Sequence, residues 1–298
     1  MATFNFLRDA QLFIVHDSKQ YNIDIESVSF SQTFTENSYS VKTLHSQDMF
    51  EASVINVANA ANFEFKTFLL KESDLDIVLS RLIDYGTMDL YISTQQDVFK
   101  LEYAVFTNGS FEINRSQALS ISVSGEASKL SKVGTASSYT IPGTVQTRTG
   151  RTFLQMLEQT VTLGATDISS EVYRLSIELQ NEISWIPYTT VNGGISASDA
   201  ATSMYPSDFT VEKRILAGNI GRYLSDTNGV DLQEWSTGTS LRIKYGQNIG
   251  ATLYGLDFNM PSCSFTNRLQ VESVFAQNYD WRLIDNTTEL SSIITKLN

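Results

Sequence analysis

Leu101-Glu-Tyr-Ala-Val-Phe-Thr-Asn-Gly-Ser110 returns near the C-terminus as Leu253-Tyr-Gly-Leu-Asp-Phe-Asn-Met-Pro-Ser262. Leu101, Phe106 and Ser110 recur at Leu253, Phe258 and Ser262, a common spacing of 152 (253 − 101). Ser73-Asp74 recurs as Ser225-Asp226 at that spacing, and Leu119 and Val123 fall on Val271 and Phe275. Few residues are identical. Several matches in one order nevertheless predict a duplicated module. The expected organisation is a first domain over 1–130, a linker over 131–150 and a second domain over 151–298.

Strands dominate outward from these segments. Tyr21–Glu26, Phe99–Tyr103, Leu119–Ser124, Leu175–Leu179 and Leu241–Tyr245 all alternate apolar and polar residues. That period of two puts one strand face on a core and the other in water or against a neighbour. Ser73–Gly86 predicts a helix: Ser73 is a cap, Leu75, Val78, Leu79 and Leu82 share a face, and Gly86 stops it. Val230–Trp235 is its shorter counterpart, ending near Gly238. Each module thus reads as strands, one helix, then three more strands. The fold class is mainly β, as sandwich or barrel modules each with a flanking helix. A further helical stretch is expected over Thr152–Gln159, and a terminal helix or arm from Glu289.

Two segments are unusually long for loops. Thr33–Asn62 and Ile183–Phe209 occupy similar places in the two modules, and each predicts a long β-hairpin insertion with a projecting tip.

Composition narrows the function classes. A net charge of −12 argues against a high-affinity nucleic-acid surface, which needs clustered Lys and Arg. The single cysteine, Cys263, excludes an internal disulfide and a multi-cysteine zinc site. The N-terminus lacks a basic stretch followed by an apolar core, so no secretory signal is expected, and no apolar run is long enough to span a bilayer. Both histidines, His16 and His45, lie in the first half without evident partners. Asp74, Asp76, Asp84 and Asp89 sit where caps and solvated carboxylates are ordinary. Phosphate-loop, nucleophile-elbow and metalloprotease motifs do not occur. The expectation is a protein without catalysis, cofactor or metal.

Phe63-Glu-Phe-Lys-Thr-Phe-Leu-Leu70 leading into Ser73–Gly86, with Phe111–Arg115 and Leu119–Ala127, resembles caudate-phage tail tube proteins with two tube domains in one chain. Thr252–Leu256, Met260–Phe265 and Val271–Phe275 carry the likeness in the second half. The resemblance implies a structural virion protein, made in the host cytoplasm and built into the tail. Three chains would form a pseudo-hexameric ring, and rings would stack into a tube. Partners implied are further copies of the chain, DNA and a tape-measure protein in the lumen, and baseplate and terminator proteins at the ends. A contractile tail would add a sheath; no membrane is implied. Ring-to-ring or subunit contacts are expected at Tyr39, Val41, Met49, Phe50, Val54, Trp185, Ile186, Tyr188 and Tyr205. The lumen candidates are Ser120, Ser122, Ser124 and Glu126, whose hydroxyls and carboxylate would let DNA slide. A baseplate hub or tube-initiator ring is the alternative, and a β-sandwich carbohydrate-binding protein or hydrolase the more distant one.

Overall fold

The computed structural model describes residues 5, 7–40, 51–71, 75–113, 115, 117–147, 150–186, 204–224, 238–271 and 274–297. The alternating segments become strands almost throughout. The first half contains β1 (Gln11–His16), β2 (Lys19–Ile23), β3 (Ile25–Ser31), β4 (Phe34–Ser40), β5 (Glu51–Ala58) and β6 (Ala61–Phe68). Helix α1 (Leu75–Asp84) follows, then β7 (Met88–Ser93), β8 (Asp97–Ile113), β9 (Ser120–Ala127) and β10 (Lys129–Thr135). Next come β11 (Thr144–Val145), β12 (Glu158–Leu163), β13 (Thr166–Asp167), β14 (Val172–Ile186) and β15 (Asp208–Tyr223). The chain closes with β16 (Thr239–Ile249), β17 (Thr252–Val271), β18 (Phe275–Leu283), the short helix α2 (Leu290–Ile293) and β19 (Ile294–Leu297). The fold is mainly β.

Helix α1 buries Ile77, Val78, Leu79, Leu82 and Ile83. Its expected cap, Ser73, lies outside the described residues, as does Val230–Trp235. The helix ends with Tyr85 in the left-handed region at φ 44°, one residue before Gly86, where the stop was expected. Four strands, not three, follow the helix in the first half.

Two long strands change partners midway, and this organises the molecule. In β8, the stretch up to Ala104 pairs with β7 and β10, and Val105–Glu112 pairs with β9. The change falls at Tyr103, a left-handed residue at φ 53° with its side chain in solvent. In β17, Thr252–Met260 pairs with β16 and Cys263–Val271 with β18. Where β16 meets β17, Gly246 faces Gly255, and a Cβ on Gly246 would sit 2.0 Å from the Tyr254 carbonyl oxygen. Only glycine permits that approach.

One antiparallel row results, in the order β3, β6, β9, β8, β14, β15, β18, β17. Further strands flank it as β11-β2-β1-β7-β8-β10 and as β13-β12-β16-β17-β19, while β4 and β5 pair only with each other among the described residues. A single hydrophobic cluster spans both halves. Phe63, Phe65 and Phe106 form edge and stacked contacts within it, and Phe111 of β8 meets Phe258 of β17 at 5.0 Å between ring centres. Such a ring pair contributes about 0.5–1.5 kcal/mol beyond its buried area.

The order β3-β6-β9-β8 is mirrored by β14-β15-β18-β17, and each first pair carries a bulge near its start. These bulges lie between Ile25 and Ser27 and between Val172 and Arg174. The spacing of 152 does not survive in β8 and β17. Phe106 faces Gly125, which belongs to the row crossing Phe63; Phe265 faces Trp281, in the row crossing Gly218. By pairing, Phe106 therefore corresponds to Phe265, not Phe258, because bulges and unequal turns change the count between strands.

Other expectations are corrected. Thr152–Gln159 is extended, not helical. Leu154 donates to the Leu69 carbonyl and accepts from the Leu119 N–H, and Met156 donates to Gln117. Leu154 and Met156 are buried while Phe153 and Leu157 face out, a period of two imposed by the strands on either side. The stretch 131–150 holds the end of β10 and the two residues of β11, which pair in parallel with β2. The C-terminal residues form α2 and then the edge strand β19 on β17.

Candidate assembly surface

The eight-strand row has one apolar and one polar face, and most of the lumen candidates lie on the polar one. One rung crosses all eight strands through Ser27, Lys66, Ser122, Ser110, Glu178, Ala217, Arg282 and Ser264. The adjacent rung, one residue along, runs through Val28, Phe65, Val123, Gly109, Leu179 and Leu216. Alternation within each strand is local. Its agreement from strand to strand across the β8–β14 junction makes the polar face continuous between the halves.

Ser122, Ser124 and Glu126 lie on this polar face and are half-buried. Ser120 is corrected: at 5% exposure, between the Phe68 and Glu112 positions, it is closed off from solvent. A depression of 340 Å³ opens on the face, lined by Ser29, Ser31, Glu64, Ser124 and Glu126 among others. Neutral donors hold several of its acids. The Asn108 amide donates to Glu178 at 2.8 Å, and the Asn219 amide to Asp280 at 2.8 Å. Amide donors orient a carboxylate without adding a positive charge beside it. Lys66 pairs with Glu26 at 3.3 Å, and Arg268 lies 3.7 Å from Asp280. Asn108, Glu178 and Arg282 were not singled out from sequence, although the alternation of Leu175–Gln180 already carried the signal for Glu178.

The first long insertion is a β-hairpin, with Phe34–Ser40 paired to Glu51–Ala58. Tyr39 and Val54 lie on its strands, opposite Ala52 and Asn37. Val41, Met49 and Phe50 fall outside the described residues, as does Tyr188. In the second insertion, β14 and β15 extend as a hairpin beyond the row, through Trp185 and Ile186. Trp185 Nε1 donates to Glu126 Oε2 at 2.7 Å, joining a contact candidate to a lumen candidate within one chain. Ile186 is exposed. Tyr205 packs edge-on against Phe34 at 6.5 Å, with Lys129 Nζ over its ring at 5.1 Å. The Ala58 N–H also donates to the Met204 carbonyl, so the roots of the two insertions are joined.

The same β14–β15 hairpin is fastened to the C-terminus of α1. Asn181 Nδ2 donates to the carbonyls of Leu82 and Phe106 at 3.0 and 3.2 Å. Arg214 donates to the Ile83 carbonyl and, at 2.9 Å, to Asn181 Oδ1. Burial pushes the Arg214 guanidinium below its ordinary value. A cation at this helix end complements the dipole and satisfies carbonyls that the helix leaves unpaired.

Among the described residues, the groups that could have carried chemistry do not converge. His16 Nε2 sits 3.1 Å from Asp17 on the surface, and His45 is outside the described residues. Cys263 is buried, and burial pushes its thiol up to about 12, so it is a packing residue and not a nucleophile. Among the described residues, no three His, Cys, Asp or Glu side chains are grouped to hold a metal ion, and no helix is long and apolar enough to cross a membrane.

No curated protein sequence matches the chain. A family model described as the Bacteriophage Baseplate Tube Protein Family matches residues 70–295, well over half of the 298. The chain therefore belongs to that family and is a structural component of a phage tail or baseplate.

Proposed function

We propose that the chain is a ring-forming subunit of the tail tube at the baseplate. Three copies, each contributing two four-stranded units, close around a channel lined by the polar sheet face, and DNA passes through it. The observation that carries this reading is the rung that crosses all eight strands from Ser27 to Ser264 on the polar face, with the apolar rung from Val28 to Leu216 beside it over six of them.

Sheet geometry favours three copies. Strands about 4.8 Å apart and tilted about 40° each occupy about 6 Å of circumference. Three eight-strand rows then enclose a barrel about 48 Å across, which side chains narrow to about 40 Å. Two rows would leave about 24 Å by the same count, barely wider than the DNA duplex. Serine hydroxyls and carboxylates share the wall with the cations Lys66, Arg268 and Arg282, and the mixture leaves little net positive charge to hold phosphates as DNA passes.

Negative-stain microscopy with native mass measurement tests this. The expected species is a ring with an open centre and three times the 33.3 kDa of one chain. A monomer at assembly concentrations, or a closed particle without a channel, overturns the reading. The family description, which names a baseplate tube, supports a ring used at the tail end. The β4–β5 hairpin supports a second reading, the repeating tube along the tail, because such an arm suits ring-to-ring contact. Discrete rings favour the first position; long tubes from the purified protein favour the second.

A further inference from the structure

We infer that the chain carries, inside itself, the template for its contact with the next copy. The β3 edge of one copy pairs with Arg268–Val271 of β17 in another, in the register that β14 takes on β8 within one chain. This rests on the ring reading above and adds the strands and the register.

The two ends of the row are open. Among the described residues, Ile25–Ser31 pairs only with β6, and Arg268–Val271 only with β18. Exposed edges of this kind recruit strands. In the middle of the row such edges are filled, since β8 lies beside β14, with Leu175 opposite Ile113, Ile177 opposite Phe111 and Glu178 opposite Ser110.

Pairings and bulges convert one junction into the other. The matching bulges align Val28 with Leu175, and Phe65 with Ile220. Phe65 crosses through Val123 to Gly109, and Ile220 crosses through Tyr279 to Asn267. Phe111 thereby corresponds to Leu269, Ser110 to Arg268 and Ile113 to Val271. Transfer of the internal register sets Val28 opposite Val271, Phe30 opposite Leu269 and Ser31 opposite Arg268.

The chemistry fits those positions. Phe111 and Ile177, at the filled junction, are 1% and 0% exposed, whereas Leu269 at the open edge is 48% exposed. A neighbouring β3 would bring Phe30 beside Leu269 and cover it, as Ile177 covers Phe111. Ser31 and Arg268 belong to the polar face, like Glu178 and Ser110. Different surfaces meet at the two ends of each chain, so the contact is head-to-tail and closes when the rotation returns to its start.

Paired cysteines test the register in the full chain, with buried Cys263 left in place. Under mild oxidation, Ser31→Cys with Arg268→Cys should give covalent dimers and trimers on denaturing gels. Ser29→Cys with Arg268→Cys, two residues out of register on the same face, should lose most of that product, and each single variant all of it. Hydrogen exchange of the unmodified protein supplies a readout independent of mutation: assembly should slow the amides of Val28–Ser31 and Arg268–Val271 together. Rings that form while the out-of-register pair links equally well, or while neither edge gains protection, overturn the register and leave the ring reading standing. A protein that forms no ring overturns both.

Discussion

Arg222 is fully enclosed, and Glu171→Ala should be among the most damaging single changes in the second half. The guanidinium Nη1 lies 3.2 Å from Glu171 Oε2, while Nε and Nη2 share Gln277 Oε1 at 3.3 and 2.9 Å. Its other face lies over the Tyr279 ring at 5.6 Å. Arg222 is 0% exposed and Glu171 8%. Removing the carboxylate leaves a buried cation without its counter-charge, which costs about 3–5 kcal/mol. Against a total stability of about 5–15 kcal/mol, that is at least about a fifth. At about 2–4 °C per kcal/mol for a protein of this class, the midpoint should fall by about 10 °C. Calorimetry and denaturant titration on Glu171→Ala read this directly. Lys213→Ala serves as the comparison, because its pair with Glu182 at 3.2 Å is roughly half exposed on both sides and should be worth less than about 1 kcal/mol. If Glu171→Ala loses no more than Lys213→Ala, water reaches Arg222 and the enclosed-pair argument is wrong.

Other consequences can be measured in the same preparations. Tyr103 holds a left-handed conformation with its ring in solvent, so Tyr103→Asn should raise stability by about 0.5–1 kcal/mol, and a loss would mean the ring has a packing role. Gly246→Ala would drive a Cβ into the Tyr254 carbonyl and should cost at least about 2 kcal/mol or abolish soluble expression; near-native melting would refute the close approach. Ser110→Lys with Ser122→Lys and Ser124→Lys recharges the polar face. Rings of this variant should retain DNA in a salt-dependent manner while the unmodified rings release it, and equal retention by both would contradict a non-sticking wall. Cys263, with its thiol pushed up to about 12 by burial, should resist alkylation at pH 8 until the protein unfolds.

Much of the fold was legible because its signals are local. Leu119-Ser-Ile-Ser-Val-Ser124 announces a strand with one wet face through side-chain period alone. The spacing of Val78, Leu79 and Leu82 announces α1 in the same way. Thr152–Gln159 misled for the complementary reason. Its residues suit a helix locally, but donors and acceptors on Leu69, Leu119 and Gln117 draw the backbone into an extended ladder. The serines of β9 were identified as wet-face candidates, yet Ser120 is closed off by neighbouring strands that no local pattern reveals. Among the expected contact residues, Trp185 and Tyr205 engage Glu126 and Phe34 within their own chain, long-range partners that no local pattern names.

The sequence by itself determined that this is a strand-rich, acidic chain with two long insertions, since alternation and composition act residue by residue. Only the tertiary structure decided that β8 turns at Tyr103 to leave one layer and join β14 in another. It also decided that one rung on the polar face is paired continuously through both halves, that Arg222 is enclosed, and that the row ends at β3 and β17. Strand partners are chosen by burial and backbone pairing between residues far apart in the chain, and the period of a single strand is the same whichever partner it takes.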